Sequence, residues 1–436
     1  MSTIAARSIG LIMLLVLAAC TGSSGSTPSI ADDPTDDGIV LEAAEVFLAD
    51  PTGVETPRLV ELIAADGDHR WVPWLLDLLR LSGNSLVDVR IGEVLEAMTG
   101  IPSEARIPDL NHYGGWAQTL GLDGGPGYRA FKAGTYARID ERFGPLLLSV
   151  EDQTQLAAIQ FGGVPLGGIP ELNDPARLTA PEATWMTDDE AVLGVEVDGE
   201  AVAYPLRFLS HHELVNDTVG ETDIAVVYCT LCRSALVFES VVDGQSLQFQ
   251  TSGLLLNSNK IMYDVETGTL WHHLLGIGIG GPLAGVELTT RPVQLVEWAD
   301  WVAEHPDTEV LDTPEPIFFD ELERPPIAYD YRPGTAYRSY YDNPDLWFPV
   351  LETPGPFDPK TEVVGIDHDG RQLAIELAAL DGAIEVEVGG KTFTVTPTGP
   401  GAAVTDSMGS LVVSEQSFWF AWYANHPDTD VWQPSE

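Results

Sequence analysis

The 436-residue sequence predicts an α+β fold, with an N-terminal α-helical domain, a β-rich module and a degenerate C-terminal repeat of that module. Three observations support this prediction. Apolar residues recur at helical spacing near the start of the chain, they alternate with polar residues from about residue 185, and two motifs recur in the second half. A hydrophobic fraction of 44% with 20% charged residues is typical of a globular protein of two or three domains.

The first 19 residues are typical of a secretory signal peptide, because an apolar run too short to span a membrane follows Arg7. The run ends in Leu-Ala-Ala-Cys20, which resembles the bacterial lipobox, where the cysteine is lipidated and becomes the mature N-terminus. Ordinary secretory cleavage and a short anchor are the alternatives. Residues 20–38 predict a flexible, acidic linker. We therefore expect a lipoprotein anchored to the cell membrane, on its extracytoplasmic face.

Acidic residues dominate the charge of the chain. The sequence has 67 Asp and Glu against 21 Lys and Arg, a formal net charge of −46. The electrostatic field of so negative a protein repels the phosphate backbone of nucleic acids, so we expect no nucleic-acid partner. The membrane contact is expected through the N-terminal lipid alone, since an anionic surface also repels the folded body.

Residues 39–160 form the predicted helical domain. Thr56-Pro57 supplies an N-cap and a first-turn proline. A stripe at helical spacing follows, made of Trp71, Trp74, Leu75, Leu78 and Leu79. Short amphipathic helices in series predict a HEAT-like array, although no fixed repeat period is evident. A Gly/Pro-rich stretch at residues 162–175 marks the next domain boundary.

The β-rich module is predicted over residues 164–311. Alternating segments on both sides of Asp198-Gly199 predict a hairpin with a two-residue turn. Further strands are predicted at residues 224–228, 235–241, 247–251 and 260–263. A helix is expected at residues 296–304, because His305-Pro306 ends it.

The predicted degenerate copy covers residues 361–436, after a connector at residues 312–360. Asp369-Gly370 repeats Asp198-Gly199 at an offset of 171, and a Trp-x-Ala-x-His-Pro-Asp-Thr motif repeats at an offset of 121. The copy is therefore about 50 residues shorter, and we expect it to lack the stretch that holds both remaining cysteines. Tryptophans at i, i+3 spacing in both copies predict core packing.

Cys229 and Cys232 form a C-x-x-C motif at the end of a predicted strand. Two cysteines at this spacing can form a disulfide, exchange electrons or bind a soft metal such as copper or zinc. Arg233 beside them favours a thiolate over a thiol. The structural, redox and metal interpretations all stay open, although a disulfide across so short a loop removes little unfolded-state entropy.

The segment at residues 205–217 supplies the second candidate group. We expect a helix on which His212, Glu213 and Asn216 share one face. A histidine and a carboxylate near two thiols predict either a proton relay for thiol exchange or a metal site formed by both thiolates and His212. The alternative is a helix end with a satisfied histidine.

Other candidate residues have less support. In Trp271-His272-His273, strand geometry allows only one histidine to face a shared site. Asp264 is expected to open a turn. The candidate pocket residues are Asn216, Arg233, Asp264 and His272. The sequence has no P-loop, dinucleotide-binding glycine motif or HExxH motif, which argues against nucleotide cofactors and zinc peptidases.

Eight short motifs are distributed over the second domain. They are Tyr204-Pro-Leu-Arg-Phe-Leu, His212-Glu-Leu-Val-Asn-Asp, Tyr228-Cys-Thr-Leu-Cys, Ser252-Gly-Leu-Leu-Leu-Asn-Ser, Met262-Tyr-Asp, Thr267-Gly-Thr-Leu-Trp, Gly281-Pro-Leu-Ala-Gly and His305-Pro. Together they resemble the bacterial domain-of-unknown-function family DUF3179. The resemblance is strong over residues 164–311 and continues weakly to Val431, while the helical N-terminal part lies outside it.

The resemblance implies a site but no settled reaction. The site residues that the resemblance implies for this chain are Cys229, Cys232, His212, Glu213 and Asn216. Some members of the family are described as candidate selenoproteins, which implies a redox role for the cysteine pair. The two histidines after Trp271 depart from the family pattern, so the resemblance does not extend to them.

The predicted function is therefore a thiol site in an anchored lipoprotein. Its catalytic residues would be Cys229, Cys232, His212 and Glu213, with one cysteine attacking, the other resolving and His212 moving the proton. In the metal version, both thiolates and His212 bind copper or zinc. The partner would be a redox protein, a metal donor or another protein. The alternative is a non-enzymatic binding or structural module with a structural disulfide.

Overall fold

The computed structural model describes residues 38–50, 53–102, 110–314 and 329–434. The predicted signal peptide, Cys20 and nearly all of the predicted linker lie outside these residues. Among the described residues, no helix is both long enough and apolar enough to cross a membrane.

Helices occupy the first part of the described chain. They are α1 (Gly38–Ala49), α2 (Thr56–Asp66), α3 (Val72–Leu81), α4 (Ser85–Thr99), α5 (Leu110–Thr119), α6 (Tyr128–Tyr136), α7 (Phe143–Leu148) and α8 (Gln153–Ala158), with a 3₁₀ turn (His69–Trp71) before α3. Local signals set their ends. Pro57 lies in the first turn of α2, and Gly67 and Gly100 end α2 and α4 in the left-handed conformation that glycine adopts at low cost.

Strands and short helices make up the rest. The strands are β1 (Ile159–Phe161), β2 (Leu172–Asn173), β3 (Arg177–Thr179), β4 (Ala191–Val197), β5 (Glu200–Pro205), β6 (Leu214–Val219), β7 (Thr222–Cys229), β8 (Ser234–Glu239), β9 (Val241–Val242), β10 (Gln245–Ser246), β11 (Phe249–Leu256), β12 (Asn259–Asp264), β13 (Leu270–His272), β14 (Ile277–Gly280), β15 (Thr290–Arg291), β16 (Gln294–Glu297), β17 (Glu309–Leu311), β18 (Glu362–His368), β19 (Arg371–Glu376), β20 (Ile384–Val388), β21 (Lys391–Pro397), β22 (Ala402–Asp406), β23 (Glu415–Phe418) and β24 (Asp430–Val431). The helices are α9 (Leu206–His212), α10 (Trp298–Glu304), α11 (Arg338–Tyr341) and α12 (Trp419–Asn425), with a second 3₁₀ turn (Leu377–Ala379).

The strands form five main sheets. Their orders are β1-β11-β12-β13-β14 (sheet A), β15-β8-β7-β6-β2 (sheet B), β16-β4-β5-β17-β3 (sheet C), β23-β18-β19-β24 (sheet D) and β20-β21-β22 (sheet E), beside the pair β9-β10. These sheets are the blades of a five-bladed β-propeller, preceded by the N-terminal helices.

The predicted fold class is therefore wrong. The sequence suggested a HEAT-like α domain, a β-rich module and a degenerate copy, whereas the β part is a propeller. The helices share one core among themselves, and α6 and α7 also pack on a sheet. Tyr136, Phe143 and Leu147 share a buried core with Leu256 and Ile261 of sheet A. Helical periodicity identifies an apolar face but not the surface on which it packs.

The two repeated motifs form matching parts of sheets C and D. In sheet C the turn at Asp198-Gly199 joins β4 to β5, and in sheet D the turn at Asp369-Gly370 joins β18 to β19. Both residues of each turn have positive φ angles, as the sequence predicted for a two-residue hairpin. The indole N–H of Trp301 donates to the Thr308 hydroxyl at 2.9 Å, and that of Trp422 donates to Thr429 at 3.0 Å. The tryptophans are buried, so the predicted core packing is confirmed.

The shorter second copy still keeps a three-stranded meander. Strands β20-β21-β22 follow the β18–β19 hairpin as β6-β7-β8 follow the β4–β5 hairpin. The length difference falls after the meander, since the first copy runs from Glu239 to Gln294 where the second runs only from Asp406 to Glu415. The first copy therefore has strands β11–β14 of sheet A as an insertion, which the second copy lacks.

Substitution of Gly194 by alanine should destabilise the protein. Its Cβ would lie 2.3 Å from Cε3 of Trp301, whose buried indole has no room to move. We expect a loss of about 1–3 kcal/mol in the free energy of unfolding, measured by urea titration. Gly365→Ala should behave alike, because its Cβ would lie 2.1 Å from Cζ3 of Trp422. Gly83→Ala, with no heavy atom within 4 Å of its Cβ, is the control. Equal stability of all three variants would contradict the proposed close packing.

Candidate functional site

The cysteine pair lies in the turn between β7 and β8. Cys229 ends β7 and pairs with Ser234 across the turn, while Arg233 takes a left-handed conformation with φ 50°. This turn brings the two Sγ atoms to 2.9 Å from each other, and both cysteines are free thiols. Their exposures are 1% for Cys229 and 0% for Cys232, so the pair is closed off from bulk solvent.

A turn of sheet A covers the second sulfur. Asn257 and Ser258 form the β11–β12 turn with φ angles of 50° and 59°. Cys232 Sγ lies 3.4 Å from the Ser258 carbonyl oxygen, and the Asn259 side-chain amide donates to Cys232 Sγ at 3.1 Å. Sheet A therefore contributes polar contacts to a cysteine of sheet B.

A buried ion pair lies beside the first sulfur. Lys260 Nζ is 2.6 Å from Glu213 Oε2, and the two side chains are 3% and 8% exposed. The Thr230 hydroxyl donates to Glu213 Oε1 at 2.7 Å, and Lys260 Nζ donates to the Thr251 hydroxyl at 3.2 Å. Buried charges persist when they are paired and hydrogen-bonded, as both are here. The sequence did not single out Lys260.

The surroundings give the two thiols opposite pKa shifts. Burial acts to raise the pKa of Cys229, and the charge of Glu213 raises it too, but the hydrogen bond from Cys232 and the ammonium and backbone N–H of Lys260 outweigh both, so the Cys229 pKa is lowered. Burial raises the Cys232 pKa well above its ordinary value, and the hydrogen bond to Cys229 and the charge of Cys229 raise it further. Cys229 therefore loses its proton more readily than Cys232.

Aromatic residues of the connector hold the cysteine turn in place. The Tyr340 hydroxyl donates to the Leu231 carbonyl at 3.0 Å, and the Tyr341 hydroxyl donates to the Thr230 carbonyl at 2.7 Å. From sheet D, the Phe418 backbone N–H donates to the Cys232 carbonyl at 2.7 Å. The backbone of the motif is thereby fixed by segments more than 100 residues away.

A buried carboxyl group of sheet D also acts on the pair. Glu415 lies on β23, and burial raises its pKa to about 8 although the Ser417 hydroxyl donates to Oε1 at 2.9 Å. Its charge contributes to the raised pKa of Cys232. Alternation along a strand gave no reason to select this glutamate, so the sequence analysis missed it.

Several buried polar atoms at the site have no hydrogen-bond partner. Among the described residues these include the hydroxyls of Ser234 and Ser258 and Oδ1 of Asn259. Such atoms are rare in native proteins, and they occur at sites that take up water or a ligand or that perform chemistry. His273 is also fully buried, and burial followed by the nearby Lys260 charge lowers its pKa well below the ordinary value.

Both ring nitrogens of His212 have hydrogen-bond partners other than the sulfurs. Its Nδ1 is 2.8 Å from the Pro170 carbonyl, and its Nε2 is 2.6 Å from the Tyr331 hydroxyl. Helix α9 ends at His212, Glu213 follows with φ 60°, and Asn216 lies on β6. The expectation that His212, Glu213 and Asn216 share a helix face is therefore wrong, because the chain leaves the helix between them.

Two other predicted pocket residues make structural contacts. Asn216 joins sheets B and A, since its amide donates to the Phe249 carbonyl at 2.9 Å and its Oδ1 accepts from the Phe249 N–H at 2.9 Å. Asp264 accepts from the Thr267 N–H at 2.6 Å and from the Trp271 indole at 2.8 Å, as expected of a residue that opens a turn.

The remaining two predicted pocket residues are Arg233, in the cysteine turn, and His272, on β13. Arg233 Nη1 donates to Glu362 Oε1 at 2.8 Å and thereby ties the turn to sheet D. His272 is buried, and Nδ1 accepts from the Leu275 N–H at 3.3 Å. Burial lowers the His272 pKa to about 4, so this imidazole is neutral near pH 7.

The residues present do not form a ready site for copper or zinc. Among the described residues, no group of three or more His, Cys, Asp and Glu is arranged to hold a metal ion. Both ring nitrogens of His212 already have partners. Metal binding by both thiolates and His212 stays a prediction, and no chemical step is derived through it.

Comparison with known proteins identifies a family. A family model described as Protein of unknown function (DUF3179) covers residues 166–411, which include the cysteine turn and strands β11–β14 of sheet A, while Glu415 lies four residues beyond its end. No curated protein and no solved structure matches the chain.

Replacement of Glu415 by glutamine should change how stability depends on pH. Below about pH 4.5 this carboxyl is protonated in both folded and unfolded chains, so the two proteins should differ least there. Between pH 4.5 and about 8 only the unfolded chain ionises it, which favours unfolding of the wild type. We expect Glu415→Gln to become the more stable protein as pH rises through this window, by at most about 1.4 kcal/mol per pH unit.

Urea unfolding at a series of pH values measures this difference. Glu385→Gln, at an exposed position on β20, controls for the loss of one negative charge. A stability difference between wild type and Glu415→Gln that stays constant across the window would contradict the raised pKa.

Proposed function

Since the chain belongs to the family described as a protein of unknown function (DUF3179), we propose its function from the site itself: Cys229 and Cys232 form a redox-active dithiol–disulfide pair. One observation carries the proposal. The two buried sulfurs are 2.9 Å apart, and their surroundings lower the pKa of Cys229 and raise that of Cys232. That asymmetry is what thiol–disulfide exchange requires of an attacking and a resolving cysteine.

The exchange takes place in two balanced steps. The Cys229 thiolate attacks one sulfur of a substrate disulfide, forms a mixed disulfide and releases the other half as a thiolate, which takes up a proton. Cys232 then loses its proton, attacks the Cys229 sulfur and releases the second half. The dithiol is oxidised to a disulfide, and the substrate disulfide is reduced to two thiols.

Two ionisable residues would assist these steps. The Lys260 ammonium would stabilise the Cys229 thiolate, against the opposing charge of Glu213. Glu415 would accept the Cys232 proton once it is itself ionised, which requires a pH near or above its pKa of about 8. His212 would instead position the chain between Pro170 and Tyr331.

The rival function is a structural disulfide in a non-enzymatic surface module. A bond across two intervening residues closes a very short loop and stabilises little. A purely structural pair also needs neither a buried cation beside one sulfur nor an amide donor on the other. These groups favour the redox function.

We also propose that the protein acts on the extracytoplasmic face of the membrane, anchored by lipid on Cys20. The lipobox-like sequence and the short apolar run before it support this location.

Redox cycling of the cysteine pair should be directly measurable. We expect the native wild type to gain two titratable thiols on reduction and to lose them on treatment with a disulfide. Cys229→Ser and Cys232→Ser should each abolish the two-electron cycle, and only Cys232→Ser should retain a stable mixed disulfide on Cys229. A pair that the native protein keeps oxidised in excess dithiothreitol would support the structural disulfide.

Removal of the cation beside Cys229 should slow the attack. Lys260→Met removes the charge that lowers the Cys229 pKa and leaves Glu213, whose charge raises it. We expect the oxidation rate at pH 7 to fall about tenfold, because less Cys229 is ionised. Lys260→Met combined with Glu213→Gln removes both buried charges and should recover most of the rate. Lys391→Met, at a half-exposed ion pair with Asp406, is the matched control. An unchanged rate in Lys260→Met would exclude a role for Lys260.

The lipid anchor can be tested at the N-terminus. We expect the wild type expressed in a bacterium to incorporate labelled fatty acid, and the mass of its N-terminal peptide to show lipid on Cys20. Cys20→Ala should incorporate none. A wild-type N-terminal peptide that begins elsewhere and carries no lipid would contradict the anchor and favour ordinary secretory cleavage.

A further inference from the structure

The burial of both sulfurs limits what can react with them. Cys229 is 1% exposed and Cys232 is 0% exposed. A disulfide on the surface of a partner protein cannot reach sulfurs that the cysteine turn, sheet A and the connector tyrosines enclose. A small molecule, in contrast, can enter through a pocket.

A pocket of about 290 Å³ lies where the helices meet sheet A. It is bounded by α3, α5, α8, the β11–β12 turn and the end of α12. Its polar lining includes Gln118, Gln160, Asn257, His272 and Asn425. Its apolar lining includes Leu76, Leu122, Leu256, Leu275 and Leu351.

The wall between this pocket and the thiols is one turn of chain. Asn257 lines the pocket, whereas the next residues, Ser258 and Asn259, contact Cys232. His272 also lines the pocket, and the adjacent His273 is close enough to Lys260 for the charge of Lys260 to lower its pKa. At both places, one residue lines the pocket and the residue that follows it in the chain lies at the thiol site.

The pocket lining is polar but carries little charge. The lining contains no Lys or Arg, and its single acidic residue, Asp152, caps α8 by accepting from the Gln155 N–H at 3.0 Å. His272 is neutral near pH 7. This lining suits an uncharged molecule with an apolar body and hydrogen-bonding groups.

Unpartnered polar atoms mark where such a molecule would bind. In the described part of the chain, Oε1 of Gln160, Oδ1 of Asn257 and both amide atoms of Gln118 are buried without a hydrogen-bond partner. Gln160 is only 3% exposed and lines the pocket. An unmade hydrogen bond at a buried amide costs free energy that a bound hydroxyl or amide group would recover.

We propose that this pocket binds the substrate of the dithiol, and that the substrate is a small uncharged disulfide with hydrogen-bonding groups. This inference rests on the proposed function. The bound disulfide reaches the two adjacent sulfurs by displacement of the Asn257–Asn259 turn, which contacts Cys232. It is attacked by Cys229, is reduced to two thiols and leaves the Cys229–Cys232 disulfide behind.

Three disulfides of different charge test the substrate class. The probes are bis(2-hydroxyethyl) disulfide, which is neutral, cystamine, which is a dication, and 3,3′-dithiodipropionate, which is a dianion. The net charge of −46 alone would make cystamine the fastest oxidant. We expect the neutral probe to oxidise the reduced protein fastest. A rate order set by charge, with cystamine first, would overturn the inference.

A substitution in the pocket separates binding from folding. Gln160→Leu should slow oxidation by the neutral probe about tenfold, because the bound hydroxyl loses its partner. Its thermal midpoint should be unchanged or higher, since an unpartnered buried amide is replaced by an apolar group. Gln245→Leu, at an exposed position on β10, is the matched control. An unchanged rate for Gln160→Leu would overturn the inference.

The two proposals fail in different ways. If none of the three probes oxidises the dithiol, the redox function itself is wrong and this inference falls with it. If all three oxidise it without preference for the neutral probe, the redox function stands and only the pocket assignment is wrong.

Discussion

The buried ion pair between Lys260 and Glu213 is the interaction on which the site depends. Removal of both charges from water is costly, and their proximity, with hydrogen bonds from Thr230 and to Thr251, offsets that cost. The pair joins β12 of sheet A to the segment before β6 of sheet B. Both charges also act on Cys229, where Glu213 raises the thiol pKa and Lys260 lowers it, so the contact that joins two blades also affects how readily one sulfur ionises.

The propeller explains how such distant segments meet. The cysteines come from sheet B, Asn259 and Lys260 from sheet A, and Glu415 from sheet D. Each sheet contributes a different group to the candidate site: two thiols, an ammonium group and a carboxyl group. The connector tyrosines then fix the backbone of the turn through its carbonyl groups. A site assembled from three blades keeps its geometry only while those blades stay packed.

The features that the two copies share and those found in the first copy alone have separate roles in this fold. Sheets C and D share a hairpin, a buried tryptophan over a glycine and an indole-to-threonine hydrogen bond. These shared features are structural. The first copy alone has the cysteines and the strands inserted as sheet A, and the candidate chemistry lies there. The inserted strands also carry the wall between the thiols and the proposed substrate pocket.

The sequence by itself determined the local features. Asp-Gly dipeptides specify two-residue hairpin turns, tryptophans at helical spacing are buried, and C-x-x-C spacing brings two sulfurs together, because each depends on neighbouring residues of the chain. Only the tertiary structure decided the closure into a propeller, the hydrogen bonds of His212 with Pro170 and Tyr331, and the positions of Lys260 and Glu415. These depend on contacts between segments far apart in the chain, and neither periodicity nor spacing records which buried surfaces meet.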